Sequence, residues 1–350
     1  MLGLLLVLLL SSDIIKYGLL DVNNCIFIGS KFDRDVQNEY IVNFLNPRSQ
    51  LIYVNKDTSQ FNIAKHIKMT HNTPDIKCAI NGITGEIPCV LLSKDHDLLQ
   101  PTSKRPLILY FGGNGESIYN SFGYGIFEKV NASYTTDILI VGYPGYANSS
   151  DKANAENFYC YCGGMAKLID TYLDGIYSDI VLVGFSIGCS AVVDCLNKCT
   201  ANKVRCAILI CPFKDILSSI DHITNTHFRY LEPLSRIFKW NVDDKMDNVK
   251  RIKNTTTPLR IVYAHSDTIV NPNDAVTLYD EATQCNDKEL FEFDGDHGEF
   301  DVTHIKEMIY SVLHYRPINF SHIDTTPRLV KSNNNLKVSC NPNSMGPPQN

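Results

Sequence analysis

A serine lies at the centre of Gly184-Phe185-Ser186-Ile187-Gly188, which follows a run of apolar, β-branched residues and precedes a stretch that favours helix. This G-x-S-x-G spacing is typical of a sharp strand-to-helix turn, because the residues two before and two after the serine must be nearly free of side chain for the turn to close. Such a turn raises the hydroxyl above the sheet edge and directs the Ile187 N–H toward an anion. The pattern therefore predicts a nucleophile at Ser186.

A serine hydroxyl is a weak nucleophile until an imidazole takes its proton, and the imidazole needs a carboxylate that fixes its tautomer. Two later loops carry these groups. Asp267 follows the apolar run 259–264, and His297 follows the run 289–293. We therefore predict Asp267 as the acid and His297 as the general base.

Other residues compete for these roles. Asp294 and Asp296 lie in the same turn as the predicted base and are alternative acids, while Asp267 could instead cap a helix. The predicted base could be a solvated turn histidine, and His265 is the rival base, although it shares a loop with Asp267 and would have to bend back. Cys189, three residues after Ser186 in the helix predicted to follow the turn, is expected to face the core.

The elements that must position these residues alternate between apolar runs and helical patterns. The spacing predicts strands at 106–111, 137–141, 179–183, 204–211, 259–264 and 289–293, and helices at 157–173, 186–197 and 303–314. This alternation implies an α/β fold with a mostly parallel central sheet and helices on both faces. Ligand sites of such sheets lie at the carboxyl ends of the strands, where every loop named above is expected.

Two β-favouring runs, 75–80 and 83–92, flank Asn81-Gly82, a pair that favours a tight hairpin turn. Gly85 and Pro88 interrupt the second run, because proline lacks the N–H that a central strand needs. We therefore expect the second run to be an edge strand at most.

Composition excludes several classes of function. The 350 residues carry a net charge of −6 without a basic stripe, which argues against nucleic acid as the main partner. Of the twelve cysteines, five crowd around the helix predicted after Ser186 and the next strand, and two more lie on another predicted helix. We interpret the cysteines as buried thiols rather than a disulfide framework. No Cys/His group has zinc spacing, so neither a metal nor another cofactor is expected.

The ends of the chain differ from its centre. Residues 1–20 begin with ten apolar residues, too few to span a membrane, which we interpret as part of a signal sequence or of a membrane anchor. A membrane-associated or cytoplasmic location is favoured over secretion. Residues 21–74 are expected to form an extension packed on the main domain, and the polar residues 319–350 are expected to be disordered.

Five blocks between residues 75 and 314 together resemble the α/β-hydrolase superfamily: 109–115, 142–146, 184–188, and the loops of Asp267 and His297. They are most similar to the membrane-associated α/β-hydrolase-domain proteins, a group that includes protein depalmitoylases. The resemblance implies Ser186 as nucleophile, Asp267 as acid and His297 as base. It also implies an oxyanion hole formed by the backbone N–H groups of Asn114 and Ile187.

Two positions depart from the family pattern. Gly112 stands where the family has His, and Tyr263-Ala264 replaces His-Gly in the acid loop. Because the oxyanion donor is a backbone N–H, the first change is compatible with function. The resemblance implies a hydrolase domain over 75–318, with a short lid at 214–258.

The implied activity is hydrolysis of an acyl ester or thioester through an acyl-serine intermediate. The substrate would be a small molecule, a lipid or an acylated protein. The alternatives are a serine peptidase that acts on short peptides and a hydrolase fold retained as a non-catalytic binding protein.

Overall fold

The computed structural model describes most of the chain from residue 49 to residue 333. The described ranges are 49–55, 61–66, 86–93, 105–118, 121–131, 136–146, 151–227, 244–314 and 327–333, with the single residues 149, 229, 316, 318 and 320.

Within these ranges, ten strands form one sheet. They are β1 Ser49–Asn55, β2 Phe61–His66, β3 Glu86–Leu92, β4 Leu107–Phe111, β5 Asp137–Val141, β6 Ile180–Phe185, β7 Val204–Ile210, β8 Leu259–Ala264, β9 Lys288–Phe293 and β10 Arg328–Ser332. The strand order is β10-β9-β8-β7-β6-β4-β5-β3-β1-β2, and the six strands from β4 to β9 are mutually parallel. The predicted mostly parallel sheet is confirmed.

Helices cover both faces of the sheet. Those of five or more residues are α1 Phe122–Asn131, α2 Ala155–Leu168, α3 Ile187–Lys198, α4 Ile216–His227, α5 Asn248–Ile252, α6 Pro272–Glu281 and α7 Val302–Leu313. The helix predicted at 157–173 is α2 together with a π-helical turn, Ile169–Leu173, that continues it. In the described part of the chain, no helix combines the length and apolarity needed to cross a membrane.

The central strand β4 shows how the sheet is held in place. All five of its residues are buried, and they alternate between two hydrophobic clusters. Leu107, Leu109 and Phe111 point to the cluster that contains α2 and α3, whereas Ile108 and Tyr110 point to the cluster that contains α1 and α7. A strand buried on both faces needs the continuous apolar run seen in its sequence.

Strand connectivity reverses beside β4. The chain runs from β4 to β5 on one side and then returns to β6 on the other, so that the loops after β4 and β6 leave a crevice between them. Ligands bind at such reversal points in open α/β sheets. The elbow and the loop that begins at Gly112 both lie at this point.

The expectation that the run ending at residue 92 forms at most an edge strand is wrong. β3 lies between β5 and β1 and is antiparallel to both. Pro88 is tolerated because it lies where the β5 ladder ends: its carbonyl accepts the Gly142 N–H at 2.8 Å, and the paired residues begin at Cys89. The predicted partner run, 75–80, lies outside the described residues.

The expectation of a disordered tail from residue 319 is wrong for one segment. β10 pairs antiparallel with β9, and it is anchored by Arg328 to Glu292 at 2.8 Å and by Lys331 to Asp280 at 2.9 Å. Its side chains are mostly exposed, so its polar composition gave no sign of a strand. Residues 334–350 lie outside the described part of the chain, as do residues 1–48, which include the predicted apolar segment and most of the predicted extension.

The nine cysteines in the described residues are free thiols, and the prediction that they are buried is confirmed for seven of them. Cys160 is exposed, Cys199 is half-buried, and the other seven are buried. Burial raises the pKa of the Cys89 and Cys206 thiols to about 12. Only a thiolate is strongly nucleophilic, so the buried cysteines have little reactive form near neutral pH.

We expect iodoacetamide at pH 8 to alkylate Cys160 in the native protein at least about 100-fold faster than Cys89 or Cys206. Peptide mapping by mass spectrometry, before and after denaturation, measures these rates. Rapid native labelling of either buried residue would contradict this placement of the thiols.

Candidate active site

Ser186 occupies a strained turn between β6 and α3. Its backbone has φ 54° and ψ −117°, a conformation that residues with a side chain rarely adopt. The turn is held by the Ser186 N–H, which donates to the Ile210 carbonyl at 2.9 Å, and by the Cys189 N–H, which donates to the Ser186 carbonyl at 3.0 Å. The structure therefore has the strand–turn–helix geometry that the G-x-S-x-G spacing predicted.

The two glycines of the motif are required by close backbone contacts. A Cβ at Gly184 would lie 2.6 Å from the Gly188 carbonyl oxygen, and a Cβ at Gly188 would overlap the Phe111 carbonyl oxygen. Cys189 lies beneath the turn, and its thiol donates to the Gly184 carbonyl at 3.2 Å. Cys189 is buried, as the sequence predicted, and a substrate therefore cannot reach its thiol.

Asp267 and His297 meet at the same edge of the sheet. His297 Nδ1 lies 2.8 Å from Asp267 Oδ2, and both side chains are largely buried. The other Asp267 oxygen accepts the N–H groups of Ile269 and Val270 at 2.8 and 2.7 Å. With Nδ1 bonded to a carboxylate, Nε2 is the imidazole nitrogen that remains to accept a proton.

The alternative acids and the alternative base lie elsewhere. Asp294 is exposed. Asp296 accepts the N–H groups of Thr268 at 2.7 Å and His297 at 2.6 Å, so it joins the two loops without contacting the imidazole. Partial burial opposes ionisation of Asp296, but these N–H donors outweigh it and lower its pKa. The exposed His265 ring lies 3.4 Å from Glu292.

The serine segment approaches the histidine through a neighbouring ring. The Phe185 and His297 ring centroids are 5.0 Å apart. No hydrogen bond between the Ser186 hydroxyl and the His297 ring is present in this part of the described chain. Bonds between a catalytic nucleophile and its base are often long until substrate binds. The arrangement thus brings together Asp267 and His297, the predicted acid and base, with Ser186 in the adjoining turn.

The loop that begins at Gly112 lies beside the elbow because β4 and β6 are neighbouring strands, with Phe111 paired to Gly184. Two tyrosines from the loop after β5 hold it. The Tyr143 hydroxyl donates to the Gly112 carbonyl at 2.7 Å, and the Tyr146 hydroxyl donates to Asn114 Oδ1. The predicted oxyanion donors Asn114 and Ile187 therefore lie on adjacent, well-anchored segments, and Ile187 is the first residue of α3, where helix N–H groups lack intrahelical partners.

Sequence reasoning missed three features of this region. Glu116 accepts the Gly113 N–H from within the loop that begins at Gly112. Cys211, at φ 49°, places its thiol within 4.8 Å of the side-chain ligand atoms of Asp267 and His297. An aromatic cluster forms where Phe122 and Phe300 pack against Phe185, with ring centroids 5.0 to 5.7 Å apart. Several of these residues are close to the motifs in the chain, but their partners are distant from them in sequence, and no local pattern marked the contacts.

The predicted lid contacts the loop of Asp267 within its described residues. α4 carries His222, whose Nε2 lies 2.8 Å from the Asp267 carbonyl oxygen. The lid segment thus supports the acid loop directly. Residues 230–243 of the predicted lid lie outside the described part of the chain.

Three solved structures with a similar fold carry the names of hydrolytic enzymes. An esterase of Pyrobaculum calidifontis is 12% identical, with a TM-score of 0.55 over 86% of this chain and 97% of that chain. Est1E of Butyrivibrio proteoclasticus, solved with ferulic acid, is 13% identical, with a TM-score of 0.50 over 66% and 95%. A 2,6-dihydroxy-pseudo-oxynicotine hydrolase is 16% identical, with a TM-score of 0.51 over 66% of each chain.

The sheet order, the elbow and these similarities define a protein of the α/β-hydrolase fold. Within that class, a family model described as serine hydrolase matches residues 165–283. The matched region contains Ser186 and Asp267 and ends before His297. The chain is therefore similar to serine hydrolases over the segment that holds the elbow and the acid loop.

Proposed function

We propose that this protein is a serine hydrolase that cleaves acyl esters or thioesters through an acyl-Ser186 intermediate. The observation that carries the proposal is the 2.8 Å contact between His297 Nδ1 and Asp267 Oδ2, at the sheet edge where Ser186 occupies its strained turn. A serine, a carboxylate and an imidazole, in this order along the chain, perform acyl transfer on α/β-hydrolase sheets.

In the proposed reaction, Ser186 Oγ attacks the acyl carbonyl and its proton passes to His297 Nε2. Asp267 stabilises the imidazolium, and the Asn114 and Ile187 N–H groups stabilise the oxyanion. Collapse of the tetrahedral intermediate breaks the bond to the alcohol or thiol, which takes the proton from His297. Water, deprotonated by His297, then attacks the acyl-serine and releases the carboxylic acid and the free serine.

The surroundings of His297 support an apolar acyl substrate. Phe185 lies against the imidazole and also packs against Phe122 and Phe300. Phe122 remains 38% exposed, so the cluster presents an apolar surface at the rim of the site. Apolar rims of this kind bind hydrocarbon chains by burying them from water.

The resemblance to the membrane-associated hydrolase-domain proteins extends the proposal to lipids and S-acylated proteins. In that case the apolar residues 1–10 would hold the protein near a membrane surface. This extension depends on the resemblance and on the sequence of that segment.

A matched substrate panel tests the proposal. We expect p-nitrophenyl butyrate and octanoate, and the corresponding acyl-cysteine thioesters, to be hydrolysed with kcat/KM at least about 100-fold above that of aminoacyl p-nitroanilides, because an ester or thioester has the better leaving group. Preference for the anilides would favour the peptidase alternative. Absence of turnover on every substrate, together with absence of fluorophosphonate labelling, would favour a non-catalytic protein.

A further inference from the structure

Glu116 joins three parts of the fold through one carboxylate. Its Oε1 accepts the Gly113 N–H at 2.6 Å, and its Oε2 accepts the Phe122 N–H at 2.8 Å. The Tyr110 hydroxyl lies 3.0 and 3.2 Å from the two oxygens. The carboxylate therefore ties the end of β4 and the start of α1 to the loop between them.

The backbone of the same loop closes around this side chain. The Glu116 N–H donates to the Gly113 carbonyl at 3.0 Å, so that Gly113 is bound on both its amide nitrogen and its carbonyl oxygen. Hydrogen bonds from backbone N–H groups to a carboxylate are charge-assisted and stronger than neutral ones. The peptide units on both sides of the Gly113 Cα are thus each held in one orientation.

The carboxylate also explains the glycine at position 112. A Cβ on Gly112 would lie 3.1 Å from both Cβ and Cδ of Glu116. A Cβ on Gly113 would lie 2.8 Å from the Phe185 ring. A side chain at position 112 would crowd Glu116, and one at position 113 would force the Phe185 ring to shift, so the two glycines and Glu116 fit together as one arrangement.

We propose that Glu116 is a positioning residue. By binding the Gly113 N–H, it orients the loop 112–117 so that the next N–H, that of Asn114, faces the oxyanion. This inference rests on the proposed acyl-transfer function. Glu116 does not contact the reacting atoms; it acts through the loop. Tyr143 and Tyr146, in the loop after β5, hold the same loop through Gly112 and Asn114.

The electrostatics agree with a carboxylate that is held by donors. Withdrawal from solvent raises the pKa of the Glu116 carboxyl, and the N–H groups of Gly113 and Phe122 oppose the rise. The nearby Tyr110 phenol has its pKa raised by burial and by this carboxylate, so it remains a neutral donor.

Glu116→Gln and Glu116→Ala test the role, with Glu128→Gln as the control because Glu128 is an exposed acid on α1. The concentration of active sites is measured by fluorophosphonate labelling taken to its end point. Each kcat is then expressed per labelled site. We expect kcat per site to fall about 10-fold in Glu116→Gln, which keeps one acceptor oxygen, and about 10²-fold in Glu116→Ala. KM should stay within about twofold, because an oxyanion donor acts in the transition state.

Affinity for a trifluoromethyl ketone, whose adduct carries an oxyanion, should fall by the same factor as kcat/KM. Glu128→Gln should match the wild type in all three measurements. A purely structural role predicts a lower melting temperature with unchanged kcat per site, and that result would overturn the proposal. If Glu116→Ala does not fold, the nearly isosteric Glu116→Gln carries the test.

Hydrogen–deuterium exchange separates this inference from the proposed function. Residues 112–118 should exchange faster in Glu116→Gln than in the wild type, whether or not the protein turns over a substrate. Unchanged exchange in residues 112–118 would overturn the proposed role of Glu116 in holding this loop. Absence of fluorophosphonate labelling in the wild type would instead contradict the hydrolase function. The exchange result would still test whether Glu116 holds the loop.

Discussion

Ser186→Ala is expected to lower kcat for p-nitrophenyl butyrate by about 10⁴-fold or more, to a residual rate supplied by the oxyanion donors and substrate binding alone. The methyl group removes the nucleophile and leaves the turn intact, because the turn is held by backbone bonds to Ile210 and Cys189. Steady-state kinetics, with correct folding checked by circular dichroism, measures the effect.

Ser190→Ala is the matched control for that substitution. Ser190 lies on the same helix, is fully buried, and accepts a hydrogen bond from Asn248 at 2.8 Å. Removal of the Ser190 hydroxyl should reduce the free energy of unfolding by about 1 kcal/mol and leave kcat near the wild-type value. Retention of more than a tenth of wild-type activity in Ser186→Ala would remove Ser186 from the mechanism.

Asp267→Asn is expected to lower kcat by about 10³–10⁴-fold. The amide can donate to His297 Nδ1, which favours the tautomer with its proton on Nε2, and the imidazolium loses its stabilising charge. The buried carboxylate also accepts two backbone N–H groups, so a modest loss of stability should accompany the change. Kinetics below the melting temperature separate the two effects.

Asp294→Asn and Asp296→Asn complete this experiment because both residues are alternative acids. The exposed Asp294 should be replaceable with no more than a twofold change in kcat. Asp296→Asn should mainly lower the melting temperature, because Asp296 binds Thr268 and the His297 backbone. A larger loss of kcat in Asp296→Asn than in Asp267→Asn would reverse the assignment of the acid.

The parallel part of the fold could be predicted because its strands are buried on both faces. The run 106–111 is continuously apolar, and such runs between helical patterns leave little choice of architecture. The elbow was equally predictable, since Gly184 and Gly188 are required by backbone contacts within a short segment. Local sequence therefore contained what these elements needed.

Elements that depend on long-range pairing could not be predicted in the same way. β10 is mostly exposed and owes its position to backbone bonds with the edge of β9. Pro88 argued against a central strand, yet it lies where the ladder with β5 ends. Both positions are set by the partner strand, which the local composition does not reveal.

The site shows the same division. The spacing of motifs after successive strands predicted that Asp267 and His297 would share one sheet edge, but the choice among Asp267, Asp294 and Asp296 needed side-chain geometry. The role of Glu116 was hidden for a similar reason. Its partners, Gly113 and Phe122, come from a loop and a helix start that no periodicity joins.

Mapping the covalent adduct of a fluorophosphonate on the wild-type protein tests the central claim most directly. Intact mass should increase by one probe, and fragmentation of the elbow peptide should place the probe on Ser186. A single adduct on any other residue, or labelling that persists unchanged in Ser186→Ala, would contradict acyl transfer at this turn.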